Sequence, residues 1–314
     1  MGELRKDYIL DRWVEIVEKR GKRPHEFRQT EEEVKEEKCF FCPGSEELTP
    51  PEIARISGRD GSWKMRVFPN KFAAVEARGR PAIRGKKHFF SSPNYGFHEV
   101  IVETPDHTRQ LADLSVQDIT EVLKMYAARI RDLLFRKGIQ YVAVFKNHGG
   151  KGGTSLVHSH SQIIAYNKTP SLVQQEFHAI LKEHACPYCS IIEQERTSPR
   201  RIAETVNAVA FCPYASRFNY EAWIFPHRHV NSLGQFSDAE FRDMAKLLKD
   251  ILLHLKEMNA SYNYFLHYHE DRDFHCHIEV TPRIATWAGF EYCTDTIINS
   301  VSPEEAARYY RKRV

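Results

Sequence analysis

The stretch HSHSQIIA (158–165) places His158, His160 and Gln162 at alternate positions and then continues into apolar residues. Successive side chains of a β-strand point to opposite faces, so these three polar groups share one face. A second stretch, HCHIEVTP (275–282), repeats the H-x-H pattern and carries Glu279 where the first carries Gln162. Two such strands predict a duplicated fold, with one histidine-bearing strand in each repeat.

The residues around each H-x-H strand recur in the same order: C-x-x-C, a histidine, a helix, and then H-x-H. Runs of apolar and β-branched residues predict strands before each H-x-H motif. In the first repeat these are WKMRVFPN (63–70), FAAVEA (72–77), FHEVIVET (97–104) and VAVFKN (142–147), and in the second AVAFCPY (208–214), YEAWIFP (220–226) and YNYFLHYH (262–269).

One amphipathic helix is predicted in each repeat. Ser115 and Asp118 form an S-x-x-D/E helix-start signal, as do Ser237 and Glu240, and apolar residues follow at helical spacing. These features predict an α+β fold in which helices lie on antiparallel sheets. The boundary between repeats is expected near 169–183, giving an N-terminal catalytic domain over 1–175 and a C-terminal domain over 176–314.

Zinc gives a physical reason for the recurring cysteines and histidines, because Cys₂His₂ closes a tetrahedral site. The alternative is that the C-x-x-C pairs arise by chance and are simply buried. The spacing predicts two zinc sites per chain, the first formed by Cys39, Cys42, His107 and His158 and the second by Cys186, Cys189, His229 and His275.

Composition narrows the class of protein. The chain has 314 residues, 45 basic and 42 acidic, for a net charge of +3. This mixed surface fits small anionic substrates and does not favour nucleic acid. We expect no membrane span because no apolar run is long enough, and we expect a cytoplasmic protein because the first ten residues, MGELRKDYIL, are too charged for a signal peptide.

With His158 assigned to the first metal site, His160 on the same strand face is available as a reacting group. A neutral imidazole can attack phosphorus and form a covalent nucleotidyl intermediate, and Gln162 on the same face can donate to a phosphoryl oxygen. Upstream, NHGGKGGTS (147–155) is rich in glycine, so its backbone N–H groups can approach an anion closely. We expect Gly153, Thr154 and Ser155 to bind phosphate oxygens, the alternative being a flexible hairpin loop.

The motifs HSHSQ, preceded by G-G-T-S, together with C-x-x-C and P-D-H (105–107), resemble those of the galactose-1-phosphate uridylyltransferase family of the histidine-triad superfamily. WVEIVEKRGKRP (13–24) matches a family segment that gives Arg20 and Arg23. VFPNKFAAV (67–75) matches the nucleotide-binding segment and gives Asn70. Asn147 and Glu291, the latter in AGFEYC, match further substrate-binding positions of the family.

This resemblance implies two histidine-triad-like repeats, each a half-barrel of antiparallel strands. It also implies a ping-pong exchange in which His160 takes a uridylyl group from UDP-glucose or UDP-galactose and passes it to a hexose 1-phosphate such as galactose 1-phosphate. Ser155 and Gln162 match phosphate-contacting residues. Arg20 and Arg23 match arginines that reach into the partner's site, so the resemblance implies a homodimer.

Several positions depart from the family pattern. Ser159 replaces a proline, Ala285 stands at an expected lysine, and Phe290 stands at an expected tyrosine. An ADP-sugar or dinucleoside-polyphosphate phosphorylase that uses the same histidine is therefore an alternative. A non-catalytic, zinc-stabilised nucleic-acid-binding protein is a second alternative.

The second metal site also has an alternative. Some family members bind iron there, at positions that correspond in this chain to Glu176, His267 or His269, His275 and His277. The second C-x-x-C pair favours zinc instead, with His277 in a structural position.

Overall fold

A computed structural model describes residues 3–17, 39–79, 81–183, 185–270 and 273–312. The strands are β1 (Glu3–Lys6), β2 (Trp13–Ile16), β3 (Ala54–Ser57), β4 (Trp63–Pro69), β5 (Arg84–Lys86), β6 (Phe89–Ser91), β7 (Gly96–Val102), β8 (Tyr141–His148), β9 (His160–Tyr166), β10 (Arg201–Glu204), β11 (Ala208–Phe211), β12 (Ala222–Pro226), β13 (Tyr262–His267), β14 (His277–Pro282) and β15 (Ile297–Asn299). The α-helices are α1 (Val116–Leu134), α2 (Ser171–Ile180), α3 (Pro187–Glu195), α4 (Asp238–Glu257), α5 (Gly289–Thr294) and α6 (Pro303–Tyr310).

Ten of the strands form one antiparallel sheet in the order β10-β11-β12-β14-β13-β8-β9-β7-β4-β3. The order is symmetric about the β13–β8 pair: reading outward, β8, β9, β7, β4 and β3 correspond to β13, β14, β12, β11 and β10. The predicted duplication is therefore confirmed. The sheets of the two repeats join edge to edge, with Phe145 opposite Phe265 at the join. The division at 175/176 stays a prediction.

The two predicted amphipathic helices cover one face of this sheet. Ser115 begins α1 and Ser237 begins α4, and each forms the capping box expected from the sequence. The two helices contact each other and bury their apolar stripes in one large core shared by both repeats. Leu248 is fully buried in this core. Truncating such a side chain to alanine costs about 2–5 kcal/mol of folding free energy.

The opposite face of the sheet differs between the repeats. In the second repeat it is covered by α2 and α3, whose Ile180, Tyr188 and Ile192 pack with Phe211 and Phe225 of the sheet. Tyr8 and Ile9, from the turn between β1 and β2, also pack on this cluster. In the first repeat the corresponding face carries a smaller apolar cluster and a cavity of about 350 Å³.

One predicted strand is wrong. Residues 72–77 form turns and bends, with a single isolated bridge between Glu76 and Tyr95. Two of their backbone donors are used by side chains: Phe72 N–H donates to Asn70 Oδ1 at 2.8 Å, and Ala74 N–H donates to His98 Nδ1 at 3.0 Å. A segment whose N–H groups are bonded in this way cannot form the regular backbone hydrogen bonds that pair it with a neighbouring strand.

The N- and C-terminal parts of the chain meet in a small sheet that the sequence analysis did not foresee. Strand β2 pairs antiparallel with β1 and parallel with β15. Within the described ranges, none of the helices combines the length and apolar character that crossing a membrane requires.

Candidate active site

The first cysteine–histidine cluster lies where the loop before β3 meets the loop before β9. Cys39 Sγ is 3.5 Å from His158 Nδ1, and Cys42 Sγ is 3.5 Å from His107 Nδ1 and 3.6 Å from His158 Nδ1. Around a tetrahedral zinc ion, bonds of about 2.3 Å to sulfur and about 2.05 Å to nitrogen would put a cysteine Sγ and a histidine Nδ1 about 3.6 Å apart. The distances and the donor set therefore fit zinc.

The second cluster repeats this arrangement beside β14. Cys189 Sγ lies 3.3 Å from His229 Nδ1 and 3.7 Å from His275 Nδ1, and the four ligand atoms, including that of Cys186, lie within 4.8 Å of one another. A hydrogen bond from Cys189 lowers the pKa of Cys186, which favours a thiolate in this pair. This donor set also fits zinc.

Backbone carbonyls set the tautomer of one histidine in each cluster. His158 Nε2–H donates to Thr104 O at 2.7 Å, and His275 Nε2–H donates to Pro226 O at 3.1 Å. A proton on Nε2 leaves the Nδ1 lone pair directed at the cysteine sulfurs. Such a partner is the usual way in which a metal-binding imidazole is oriented.

His160 is the first residue of β9 and is only 7% exposed. Its Nδ1–H donates to His158 O at 2.8 Å, which leaves a lone pair on Nε2. Burial, and to a smaller extent the charge of Lys146, lowers the pKa of His160, so the imidazole is neutral at neutral pH. A neutral ring with one nitrogen held by a carbonyl has the geometry of a nucleophile.

A cavity of about 350 Å³ opens beside His160. Its wall combines apolar and aromatic side chains with a few polar groups, as expected of a nucleotide site. The lining residues are Phe40, Phe41, Leu48, Thr49, Pro50, Phe68, Asn70, Lys71, Phe72, His98, Val100, Ser155, Leu156, His160 and Gln162. Four residues selected from the sequence, His160, Gln162, Ser155 and Asn70, thus share one cavity.

The glycine-rich loop after β8 reaches this cavity through Ser155. Gly149 and Gly153 have φ angles of 74° and 81°, values that L-residues with side chains rarely adopt. Asn147 Oδ1 accepts a hydrogen bond from Asn263 Nδ2 at 2.8 Å, and Thr154 Oγ1 donates to Leu156 O at 3.0 Å. Gly153 and Thr154 therefore lie on this loop and Asn147 lies in β8 before it, and none of the three is among the residues that line the cavity.

A buried ion pair that sequence analysis missed lies on the helix side of β9. Lys146 Nζ donates to Glu103 Oε2 at 2.6 Å and to His160 O at 2.9 Å. Ser159 Oγ donates to the same carboxylate at 2.6 Å, so the serine that replaces the family's proline has a partner. The only signal in the sequence was a charged residue, Glu103 or Lys146, in each of two largely apolar segments.

The remaining predicted site residues lie elsewhere. Arg20 and Arg23 fall outside the described residues. Glu291 is in α5, where its carboxylate accepts a hydrogen bond from Ala288 N–H, and it is not among the residues that line the cavity.

The counterpart of His160 in the second repeat is His277. Its Nδ1–H donates to His275 O at 2.9 Å, but it is fully buried, and its ring stacks on Phe225 at 4.4 Å. His277 Nε2 lies 3.4 Å from Glu279 Oε1, and nearby His267 Nδ1 lies 2.9 Å from Glu176 Oε2. The ligand atoms of His267, His277 and Glu279 lie within 4.8 Å of one another.

Comparison with known proteins agrees with this geometry. The family model for the N-terminal domain of galactose-1-phosphate uridyl transferase matches residues 2–170, and a model of a domain of unknown function matches residues 95–311. The chain belongs to the galactose-1-phosphate uridylyltransferase family. The resemblance inferred from the HSHSQ, C-x-x-C and P-D-H motifs is thereby confirmed.

Relatives within this family carry two different names. Galactose-1-phosphate uridylyltransferase of Thermotoga maritima is 30% identical, over 99% of this chain and 98% of that protein. ADP-glucose phosphorylase of Arabidopsis thaliana is also 30% identical, over 99% of this chain and 92% of that protein. The crystal structure of an Arabidopsis ADP-glucose phosphorylase with bound ADP-glucose has a TM-score of 0.85 at 29% identity and covers all of both chains.

The family member described here is therefore a nucleotidyl-transferring enzyme that acts on sugar phosphates. This excludes the alternative of a non-catalytic zinc-stabilised nucleic-acid-binding protein.

Proposed function

We propose that the enzyme is a UDP-glucose–hexose-1-phosphate uridylyltransferase that acts by a ping-pong mechanism through a uridylyl group on His160. The carrying observation is the hydrogen bond from His160 Nδ1–H to His158 O at 2.8 Å, which leaves Nε2 as a free nucleophile at the cavity wall. Of the two H-x-H strands, only that of the first repeat supports this chemistry, because His277 is fully buried.

The reaction proceeds in two displacements at the same phosphorus. His160 Nε2 attacks the α-phosphorus of UDP-glucose, an N–P bond forms, and the P–O bond to glucose 1-phosphate breaks with its electron pair on the leaving oxygen. A phosphate oxygen of the acceptor, which we take to be galactose 1-phosphate, then attacks the same phosphorus. The N–P bond breaks, and the lone pair returns to Nε2. Splitting one displacement into two lowers each barrier.

The other site residues bind and orient the substrates. Gln162 and Ser155 donate to the phosphoryl oxygens as charge develops on them. The N–H groups of Gly153 and Thr154 donate to Gly150 O and Gly149 O at 3.0 and 3.4 Å, so these two residues shape the loop that presents Ser155. In the same proposal Asn70 and Asn147 contact the nucleotide, and Glu291 contacts hexose hydroxyl groups. Arg20 and Arg23 act on the phosphates of a partner subunit in a homodimer, a task that suits the bidentate guanidinium group.

The two cysteine–histidine clusters are proposed zinc sites, one in each repeat. At the first site Cys39, Cys42, His107 and His158 would hold the ion, and at the second Cys186, Cys189, His229 and His275 would do so. Zinc bound by four protein ligands supplies cross-links between chain segments and no open position for substrate. Two thiolates at the second site favour zinc over iron.

A second candidate function is supported by one observation. The Arabidopsis ADP-glucose phosphorylase matches this chain over its full length with a TM-score of 0.85. The corresponding activity here would place an adenylyl group on His160 and transfer it to inorganic phosphate, as in an ADP-sugar or dinucleoside-polyphosphate phosphorylase. The covalent chemistry at His160 is the same, and only the base and the acceptor differ.

Covalent labelling distinguishes the two candidates. The purified enzyme is incubated separately with UDP-glucose and ADP-glucose that are labelled in the α-phosphate, and the His160→Asn variant is the control. We expect acid-labile label from UDP-glucose on His160 and release of one glucose 1-phosphate per site. Label from ADP-glucose alone would establish the adenylyl alternative, and absence of label from both would contradict both candidates.

A further inference from the structure

His98 in β7 contacts the residue proposed to steady the transferred phosphoryl group. Its Nδ1 accepts a hydrogen bond from Ala74 N–H at 3.0 Å. A backbone amide can only donate, so Nδ1 carries no proton, and the single hydrogen of the neutral ring must be on Nε2. The chain fold around Ala74 therefore sets the tautomer of His98.

The tautomer of His98 in turn sets the orientation of Gln162. His98 Nε2 lies 2.9 Å from Gln162 Oε1, so the ring N–H donates to the amide oxygen. Rotating the amide by a half-turn would bring two donors together and lose this bond. The carbonyl of Gln162 is therefore directed at His98, and its two N–H groups are directed away from it.

Asn70 is arranged in the same way on the same cavity wall. Its Oδ1 accepts from Phe72 N–H at 2.8 Å, and its Nδ2 lies 3.2 Å from His98 Nε2. Both of these nitrogens carry hydrogen, so this contact is not a hydrogen bond, and the Asn70 amide also has N–H groups left to offer. Two side-chain amides in one cavity thus have their oxygens bonded within the protein and their donors available to an anion.

We propose that His98 is a positioning residue for nucleotidyl transfer: by holding the Gln162 carbonyl it directs the Gln162 N–H groups to the α-phosphate on His160. This proposal rests on the proposed function of His160. Fixed donors aimed at developing charge need no reorganisation during the reaction, which is why orientation of the amide affects the rate.

A double-mutant cycle tests whether His98 acts through Gln162. His98→Phe keeps a ring of similar size without the donor, and Gln162→Met removes the amide. We expect His98→Phe to lower kcat about tenfold, less than the roughly 10²-fold cost of deleting such a donor, with KM changed by less than about twofold. In the Gln162→Met background, His98→Phe should have no further effect. An equal loss in both backgrounds would overturn the proposal, because it would show a merely structural effect.

Two further measurements separate positioning from folding. His98→Gln places an amide nitrogen near the position of Nε2 and should restore most of the kcat lost in His98→Phe, whereas the melting temperatures of the two variants should be alike. Failure of His98→Gln to recover activity at unchanged melting temperature would count against the proposal.

The tautomer of His98 can be measured without an activity assay. Imidazole nitrogen chemical shifts of the full-length wild-type enzyme should report a protonated Nε2 and an unprotonated Nδ1 for His98. The opposite tautomer would overturn the proposal and leave the function proposed for His160 intact. Conversely, an enzyme that is unlabelled by either nucleotide sugar would contradict the proposed function, and with it the role of the Gln162 amide in transfer, even if the tautomer is as expected.

Discussion

The two repeats hold their second histidines in the same way and surround them differently. His160 Nδ1–H donates to the carbonyl of His158, and His277 Nδ1–H donates to the carbonyl of His275. Beside His160 lies a cavity of about 350 Å³, whereas His277 is stacked on Phe225 and covered by α2 and α3. The backbone geometry of the motif is therefore the same in both repeats, and it is access and neighbouring residues that favour His160 over His277 as the proposed nucleophile.

The neighbours differ in charge as well. Gln162 stands beside His160, and the corresponding position beside His277 is Glu279, which also lies 3.9 Å from Arg217. A neutral amide can donate to a phosphate, whereas a carboxylate would repel it. The second repeat thus has the same scaffold, with a buried ionic network at the position that corresponds to the proposed phosphate-binding group.

The largest expected effect comes from exchanging the two histidines for alanine. His160→Ala should reduce kcat by about 10⁴-fold or more, since it removes the attacking nitrogen. His277→Ala should keep kcat within about threefold and lower the melting temperature, because it leaves a cavity and an unpaired group in a packed core. Steady-state kinetics and thermal unfolding of both variants check this. Comparable losses of turnover would show that the second strand takes part in the reaction.

An intermediate effect is expected from the two metal clusters. Elemental analysis should find two zinc ions per chain, and Cys39→Ser and Cys186→Ser should each lose one. Cys39→Ser should also reduce turnover about 10- to 100-fold, because the first cluster holds the strand that carries His160. Cys186→Ser should lower the melting temperature with kcat little changed. One zinc in the wild-type enzyme would leave the second pair of cysteines without an explanation.

The smallest expected effect is a pH dependence of the free energy of unfolding. Burial disfavours the charged form of His267, but the carboxylates of Glu176 and Glu279 outweigh it and raise the pKa to about 9. The unfolded chain has the ordinary value of about 6.5. The stabilisation is therefore complete below about pH 6.5 and is lost as pH rises towards 9, with a magnitude of about 3 kcal/mol.

Chemical denaturation at a series of pH values tests this assignment. The difference in unfolding free energy between the wild type and His267→Phe should shrink between pH 6.5 and 9. A difference that is constant over this range would show that His267 is uncharged in the folded enzyme.

The sequence was sufficient to predict those features in which local chemistry restricts the residue types that can take part. Zinc requires four thiolate or imidazole ligands in a tetrahedron, so Cys39, Cys42, His107 and His158 could be grouped without a structure, and the structure brings them together. The capping boxes at Ser115 and Ser237 were equally readable. The C-x-x-C pairs and the capping boxes consist of residue types at short, fixed spacings, and the more distant histidines could be assigned because the same order recurs in both repeats.

Hydrogen bonds and packing contacts between distant segments that carry no recurring motif could not be predicted from the sequence. Residues 72–77 have the composition of a strand, but the donors of Phe72 and Ala74 are bonded to Asn70 and His98. His98 lies beside Glu99 in a largely apolar strand, and nothing in the sequence indicates that it contacts Gln162. The cover over His277 likewise depends on α2 and α3 and on Tyr8 near the N-terminus.

The join between the repeats has a consequence for when the enzyme becomes active during synthesis. Asn263 Nδ2, from β13, donates to Asn147 Oδ1 at 2.8 Å and to Gly152 O at 2.7 Å, so the second repeat holds the glycine-rich loop of the first. Asn263 is translated 116 positions after Asn147, a delay of about 6–23 s at ordinary elongation rates. A nascent chain that already contains the His160 strand therefore still lacks the two hydrogen bonds that support the glycine-rich loop, until most of the protein has been synthesised.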